Sequence, residues 1–313
     1  MSSAMRETMW RQPEDLRKVL ADPDPVERVA ARLAGKRLVV VGTGTSWHAA
    51  NHACWFLRAA GVDARPVQGM DAALYGTGAG PDDAVVVLSH RNSKRYTSEV
   101  GAAARAAGTT CVVVGGIGSP DVDVETTEQE RSAAFTASHL GALLRMAQLA
   151  TVLGAELGPL DAVPGAVATA LDGPGPDVRP PARLLELTGA GPNQWTAAEG
   201  ALKARETCWV AAEGLSAEQL LHGPAVALDG RDTLVTLDGG GPGAERVQAV
   251  AAAARVAGAT VHEVVARELG EQLSVFPLTV AVQRIALELA EALGTNPDDF
   301  RASEHTAWRG VGL

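Results

Sequence analysis

Arg37-Leu-Val-Val-Val-Gly-Thr-Gly-Thr-Ser-Trp47 is the stretch that decides the fold, because a β-branched run enters a turn of Gly, Thr and Ser. Such a run bounded by glycine predicts a strand, and residues 47–60 continue it with a helical pattern. The same order returns at Arg183-Leu-Leu-Glu-Leu-Thr-Gly-Ala-Gly191, which leads into a helical stretch through Thr207. The sequence therefore predicts one strand–turn–helix unit that occurs twice.

The repeat continues downstream at an offset of about 150 residues. Asp82-Asp-Ala-Val-Val-Val-Leu88 parallels Arg231-Asp-Thr-Leu-Val-Thr-Leu237, and Arg105-Ala-Ala-Gly108 parallels Arg255-Val-Ala-Gly258. Strands that alternate with helices predict an α/β fold with two parallel sheets, each flanked by helices in a flavodoxin-like three-layer arrangement. Right-handed crossovers then place the loops after the strands along one edge, where such sheets bind ligands.

Proline and glycine mark the predicted domain boundaries. Residues 158–181 contain six prolines and several glycines and aspartates, which is typical of a linker. We therefore expect a first domain over 1–157, a linker over 158–181, a second domain over 182–295 and a polar tail over 296–313. A tail of this kind either frays or folds over a site.

Composition and charge exclude some classes of protein. The net charge of −10 argues against nucleic-acid binding, which needs clustered Lys and Arg, but it allows a small anionic ligand. We find no apolar run of about 20 residues and no apolar signal-peptide core, so no membrane segment is expected. Three widely spaced cysteines suit a reduced compartment. The expected location is the cytoplasm.

The turn after the first predicted strand is a candidate anion site. Its hydroxyls, Thr43, Thr45 and Ser46, stand where a helix begins, and helix N-termini present free N–H groups to anions. A dinucleotide fingerprint is disfavoured because Trp47 occupies the place of its third glycine. An ordinary Ser/Thr-capped turn remains an alternative.

A second loop, Ser89-His-Arg-Asn-Ser-Lys-Arg95, follows the predicted strand 84–88. It places three cations at the same sheet edge if the two strands are neighbours. In an acidic chain, this focus of positive charge favours an anionic ligand over a merely solvated turn.

At this point the residues resemble a known family. Arg6-Glu-Thr-Met-Trp-Arg-Gln-Pro13, Gly44-Thr-Ser-Trp-His-Ala49, Ala198-Glu-Gly-Ala-Leu-Lys-Ala-Arg-Glu206 and Glu218-Gln-Leu-Leu-His-Gly-Pro224 look like the double sugar isomerase (SIS) domain family, which includes the isomerase half of glucosamine-6-phosphate synthase and stand-alone relatives. The resemblance runs from about residue 5 to residue 301. It implies two tandem SIS domains with a sugar-phosphate site between them.

The resemblance also implies roles for individual residues. Glu206 matches the base of enolisation, Lys203 a lysine near the reacting carbons, and His222 a ring-opening histidine that reaches into the partner subunit of a homodimer. No cofactor and no metal are implied. The expected ligand-binding residues are Thr43, Gly44, Thr45, Ser46, Ser89, His90, Arg91, Ser93, Lys94, Gln129, Glu130 and Ser132.

The chain departs from the family pattern in two places. Arg91, Asn92 and Lys94 replace the second Ser, the Gly and the Thr of the usual Ser-x-Ser-Gly-x-Thr phosphate loop. Near the C-terminus, His305 aligns with the lysine that forms a Schiff base in the synthases, and imidazole cannot form that linkage. His305 is kept as a candidate catalytic residue. Because no amide-transfer domain is found, glutamine is not expected to be the nitrogen source.

These residues favour an aldose–ketose isomerase, with or without loss of ammonia, acting on a hexose or amino-hexose phosphate. We expect a buried Glu206 to be the proton shuttle, Lys203 to stabilise the developing oxyanion, and His222 to protonate the ring oxygen. Without the resemblance, the alternatives are an exposed ion pair of Glu206 with Lys203 and a His222 that only ends a helix. The alternative from a different class is a sugar-phosphate-binding sensor without turnover. His48 and His52 have metal-capable spacing, but lack a third ligand, and hydrogen-bonded histidines are expected instead.

Overall fold

Two runs of β-branched and aliphatic residues form the centres of two parallel sheets in the computed structural model, which describes residues 3–301, 304, 306–309 and 311. In the first sheet the strand order is β2-β1-β3-β4-β5, and in the second it is β7-β6-β8-β9. All neighbouring strands are parallel. The predicted α/β class with two parallel sheets is confirmed, and the order of the first four strands is the same in both halves.

The first half alternates strands and helices as the repeat predicts. Its strands are β1 (Leu38–Gly42), β2 (Ala64–Gln68), β3 (Ala84–Leu88), β4 (Thr110–Gly115) and β5 (Val124–Glu125). Its helices are α1 (Ala4–Ala21), α2 (Asp24–Leu33), α3 (Thr45–Ala59), α4 (Gly69–Tyr75), α5 (Arg95–Ala106) and α6 (Ala137–Val152).

The second half repeats the pattern with one strand fewer. Its strands are β6 (Leu185–Gly189), β7 (Ala212–Ser216), β8 (Thr233–Asp238) and β9 (Thr260–Val265). Helix α7 (Val163–Asp172) precedes this half in the chain. The helices that follow β6 are α8 (Asn193–Cys208), α9 (Ala217–Leu221), α10 (Ala244–Val256), α11 (Gly270–Leu273), α12 (Val275–Leu293) and α13 (Thr306–Arg309). Two short 3₁₀ turns, Leu160–Ala162 and Pro224–Ala227, complete the described elements.

The segment 158–181, which the prolines predict to be a linker, contains helix α7. Its buried Val163, Val167 and Leu171 belong to the apolar core of the first half. Pro164 stands in the first turn of the helix, where a missing N–H costs no hydrogen bond. The boundaries at residues 158 and 181 stay predictions, but the helix between them is packed structure.

Helix α12 lies between the two cores. Phe276, Val280 and Leu287 pack into the first core, whereas Val282 and Leu289 pack into the second. Residues 270–293 are long and apolar enough to cross a membrane by length and composition, yet 89% of the most apolar window is buried inside the protein. A helix that is apolar on all sides and buried in this way is typical of a core helix.

The start of the predicted tail folds back onto the N-terminus. The carboxylate of Asp298 accepts hydrogen bonds from the backbone N–H groups of Ala4 (2.7 Å) and Met5 (2.8 Å), at the first turn of α1. The Arg301 guanidinium lies 4.3 Å from the ring centre of Trp209, which follows α8. Residues 298–301 are therefore fixed to both halves.

A carboxyl group is buried in the central strand β6. Glu186 is only 1% exposed and pairs in register with Glu213 of β7. Burial, together with the charges of Glu213 and Asp232, raises the pKa of Glu186 to about 8. Among the described residues its Oε1 has no hydrogen-bond partner. Glu186 is thus a neutral acid at neutral pH.

We expect Glu186→Leu to stabilise the protein at high pH. Between pH 4.5, the ordinary pKa of a glutamate, and about pH 8, Glu186 is protonated in the folded state but ionised in the unfolded state. The stability of the wild type therefore falls as pH rises through this window. The variant should gain roughly 2–4 kcal/mol in the free energy of unfolding at pH 9 and much less at pH 5. Urea denaturation from pH 5 to 9 measures both curves. Parallel curves would contradict the buried-acid interpretation.

Candidate active site

The first anion loop joins β1 to α3 at the C-terminal edge of the first sheet. Gly44 has φ 58°, a backbone conformation that side chains rarely adopt. A Cβ at Gly42 would lie 2.1 Å from the backbone oxygen of Ser46, so only glycine allows the helix to begin this close to the strand. The turn therefore places Thr45 and Ser46 in the first turn of α3.

The second loop follows β3, which is hydrogen-bonded to β1 as the anion-site prediction requires. Ser89 and His90 are buried at its start. Asn92, in the place of the family's glycine, has φ 43°, a region that asparagine tolerates better than most residues. The loop therefore contains a left-handed residue at this position.

Four predicted ligand-binding residues meet in one small cavity. Thr45, Ser46, Ser89 and His90 line a space of about 20 Å³, together with side chains from β4, α6 and the segment between them. Thr43, Gly44, Ser93 and Lys94 are exposed and do not line it. The Arg91 guanidinium donates to the Glu130 backbone oxygen (3.0 Å) and lies 5.4 Å from the centre of the Phe135 ring. Arg91 is therefore held beside the cavity.

The side chains of Gln129, Glu130 and Ser132, in the segment after β5, form hydrogen bonds with other groups of the protein. The Glu130 carboxylate accepts hydrogen bonds from the backbone N–H groups of Thr136 (3.0 Å) and Ser138 (2.8 Å), which satisfies the start of α6. Ser132 accepts from the Ala134 N–H, and the Gln129 amide donates to the Ile117 oxygen. Gln129, Glu130 and Ser132 do not line the cavity, although the Glu130 N–H donates to Nε2 of the cavity residue His90 (3.4 Å). Their role in ligand binding stays a prediction.

Helix α8 carries the acidic and basic residues of the second half. Glu199, Lys203 and Glu206 stand four and three residues apart, on one face of the helix. Lys203 is 1% exposed; its ammonium lies 3.4 Å from Glu199 Oε1 and donates a hydrogen bond to Glu206 Oε2. Glu206 is the outer member, with 19% of its side chain exposed.

Glu199 connects this face to the anion loop of the first half. Its carboxylate is fully buried and accepts a hydrogen bond from Thr45 Oγ1 (3.1 Å). Its other oxygen lies 2.7 Å from His48 Nδ1. Trp47 and Trp195, from the equivalent turns of the two halves, pack edge to face with 6.0 Å between ring centres. The two halves therefore meet where the loop and the helix face carry their polar groups.

The two carboxyl groups of α8 differ in acidity. Burial acts to raise the pKa of Glu199, but the charge of Lys203 and the hydrogen bond with His48 outweigh it and hold this pKa below its ordinary value. Burial raises the pKa of Glu206, and the Glu199 charge adds to the effect although Lys203 opposes it. Burial acts to lower the pKa of Lys203, yet Glu199 and Glu206 raise it above its ordinary value. Glu206 is thus the carboxyl group that changes protonation more readily.

The structure describes one of the two predicted catalytic histidines. His222, after α9, is exposed, and its Nε2 lies 2.8 Å from Glu218 Oε1. Its predicted role across a dimer interface stays a prediction. His305 lies outside the described residues. His48 and His52, by contrast, are hydrogen-bonded as expected: His52 contacts the His48 backbone oxygen (3.0 Å) and Thr196 Oγ1 (3.1 Å).

The equivalent turn of the second half is occupied by a side chain of the protein itself. Glu271 packs so tightly against Gly191 that a Cβ there would lie 2.7 Å from its Oε1. A Cβ at Gly241 would lie 2.5 Å from its Oε2. A carboxylate in this position repels anions, so the candidate site is confined to the first-half loops and the face of α8.

Comparisons with known proteins identify sequence relatives of the chain and solved structures that share its fold. The chain is 27% identical, over 348 aligned residues, to glutamine–fructose-6-phosphate aminotransferase (isomerizing) from Aeropyrum pernix, covering 95% of this chain and 56% of that protein. The chain thus spans about half the length of the curated relatives it matches. No protein-family model matches it.

Two solved structures share the fold over nearly the whole chain. Tagatose-6-phosphate ketose/aldose isomerase from Escherichia coli matches with a TM-score of 0.77 and 17% identity, covering 96% of this chain and 95% of that one. Glucosamine-6-phosphate deaminase from Thermotoga maritima matches with a TM-score of 0.78 and 17% identity, covering 95% and 97%. The chain therefore has the fold of phosphosugar isomerases and is related in sequence to an isomerising aminotransferase, as the motifs predict.

Proposed function

We propose that this chain is an enzyme that binds a hexose or amino-hexose phosphate and interconverts its aldose and ketose forms through an enediol, with or without loss of ammonia. One observation carries the proposal: the contacts Thr45–Glu199–Lys203–Glu206 connect the anion loop of the first half to a carboxyl group of raised pKa on the second. A phosphate held near Ser46 and Ser89 would thereby present its carbon chain to Glu206.

The residues of α8 suit the proposed proton transfer. Glu206 takes the proton from C2 of the open-chain aldose, and the electron pair of that bond forms the C1–C2 double bond while charge develops on the C1 oxygen. The Lys203 ammonium stabilises this charge. Transfer of the C2 hydroxyl proton to the C1 oxygen and return of the proton from Glu206 to C1 give the ketose. Burial favours this role, because a base is most effective when its pKa lies near the working pH.

Glu199 supports the site in a different way. Its depressed pKa keeps it ionised, so it holds Lys203 charged and fixes Thr45 and His48 by hydrogen bonds. It has no exposed surface, which leaves Glu206 as the carboxyl group that a substrate can reach. The two acids are therefore proposed to have separate tasks, one positioning and one proton-transferring.

A homodimer in which His222 completes the partner's site is part of the proposal. The exposed imidazole agrees with it. The proposed location is the cytoplasm, since Cys54, Cys111 and Cys208 are buried and unpaired.

Proton exchange tests the reaction directly. The protein, incubated in deuterated water with fructose-6-phosphate, glucosamine-6-phosphate or related hexose phosphates, should place deuterium at C1 or C2 of at least one sugar. Mass spectrometry and proton NMR of the sugar detect it. If no sugar exchanges while a sugar phosphate still raises the melting temperature, the chain is a sensor without turnover, and the isomerase proposal is wrong.

A further inference from the structure

His139 stands out among the buried polar residues because neither of its ring nitrogens has a partner among the described residues. It is the third residue of α6 and is only 2% exposed. Buried polar groups in native proteins are nearly always hydrogen-bonded, and each exception calls for an explanation. A histidine with two orphaned nitrogens therefore points to a partner outside the chain.

The position of His139 indicates what that partner is. The residue lines the same small cavity as Thr45, Ser46 and Ser89, the hydroxyl-bearing residues of the two anion loops. The space, about 20 Å³, has room for one oxygen-sized group. A terminal phosphate oxygen fits both its size and its surrounding donors.

The protonation state of the ring agrees with such a contact. Burial, helped by the charges of His48 and Lys203 and opposed by that of Glu199, lowers the pKa of His139 to about 4. The ring is therefore neutral at neutral pH and carries one N–H donor and one acceptor nitrogen. The backbone of Thr45 is near the ring, but forms no hydrogen bond of ordinary geometry with it.

We infer that His139 is a ligand-binding residue of the anion site, which donates a hydrogen bond from its neutral ring to an oxygen of the bound phosphate group. The inference rests on the anion site of the proposed function, but not on enolisation. His139 lines the cavity together with residues of the two loops. It is a neutral donor and, unlike Arg91, adds no charge to the site.

His52 provides a matched control. It is also a fully buried histidine, and its ring lies 6.0 Å from that of His139. Both of its nitrogens are engaged, with the His48 oxygen and Thr196 Oγ1. A purely structural histidine should therefore behave like His52 when it is replaced by an apolar residue.

Three variants test the inference: His139→Leu, His139→Gln and His52→Leu. In phosphate-free buffer, His139→Leu should raise the melting temperature by about 2 °C or more, because it removes unpaired polar groups. His52→Leu should lower it. Isothermal titration with inorganic phosphate should show a Kd about tenfold higher for His139→Leu, and His139→Gln, which keeps a donor and an acceptor, should restore most of the affinity. Ring ¹⁵N shifts of His139 should move on addition of phosphate.

The outcomes separate this inference from the proposed reaction. A fall in melting temperature for His139→Leu as large as that of His52→Leu, or an unchanged Kd for phosphate, would overturn the assignment even if the wild type exchanges sugar protons. If phosphate binding depends on His139 but the protein exchanges no sugar proton, the assignment of His139 is supported and the isomerase proposal is wrong. A wild type that binds no phosphate overturns both.

Discussion

Glu206→Gln should reduce the exchange of the sugar's carbon-bound proton by about 10³-fold or more, while the protein stays folded and still binds sugar phosphate. Glutamine has nearly the same shape and accepts the hydrogen bond from Lys203, but it cannot take up a proton. The loss should therefore appear in kcat, with little change in the Kd of the ligand. Deuterium incorporation into the sugar that the wild type uses measures the rate.

Glu245→Gln is the control for this substitution. It makes the same chemical change at an exposed position in the first turn of α10, away from both anion loops. Its exchange rate should equal that of the wild type. Wild-type exchange by Glu206→Gln would remove the catalytic assignment of this residue, although it would leave the anion site and its test by phosphate binding intact.

Lys203→Met should lower the free energy of unfolding by roughly 3–5 kcal/mol at pH 7 and abolish exchange. The ammonium is almost completely buried between Glu199 and Glu206, so its removal leaves a buried carboxylate without compensation. Urea denaturation gives the loss. Lys18→Met, at an exposed position near the end of α1, should cost less than about 1 kcal/mol.

The pH dependence of this loss has a definite sign. The pKa of Glu199 is depressed, so its stabilising contribution is present above its ordinary pKa of 4.5 and is lost as pH falls through the folded-state value. The pKa of Lys203 is raised, so its contribution is present below 10.5 and is lost at higher pH. Without Lys203, Glu199 should take up a proton more readily, and the deficit of the variant should shrink in acid. A deficit that is constant from pH 4 to 8 would argue against the buried ion pair.

The parallel sheets were predictable because local patterns determine them. A run of valines predicts a strand that is buried on both faces, and the Gly-Thr-Gly turn predicts that a helix begins directly after it. Strand β1 and helix α3 agree with these two predictions. Helix α7 was hidden by the prolines around it. Its Val163, Val167 and Leu171 make sense only against a core assembled from distant segments.

The site was predictable in part for the same reason. Strand ends place Ser46 and Ser89 together, so the two loops could be paired from the topology alone. Glu199 carried a usable signal, since it precedes Lys203 by four residues and Glu206 by seven on one helix. The sequence around His139 carries no such signal, because only tertiary packing places this residue beside the cavity and leaves its ring nitrogens without a partner among the described residues.

Helix α12 has a consequence for how the chain folds. Because one helix supplies side chains to both cores, neither half can complete its interior until the segment 275–293 has been synthesised. A chain cut before that segment exposes the apolar surfaces that Phe276 and Val282 would cover, and it should aggregate or recruit chaperones. The two halves repeat one architecture, yet we expect them to melt as a single cooperative unit because they share this helix.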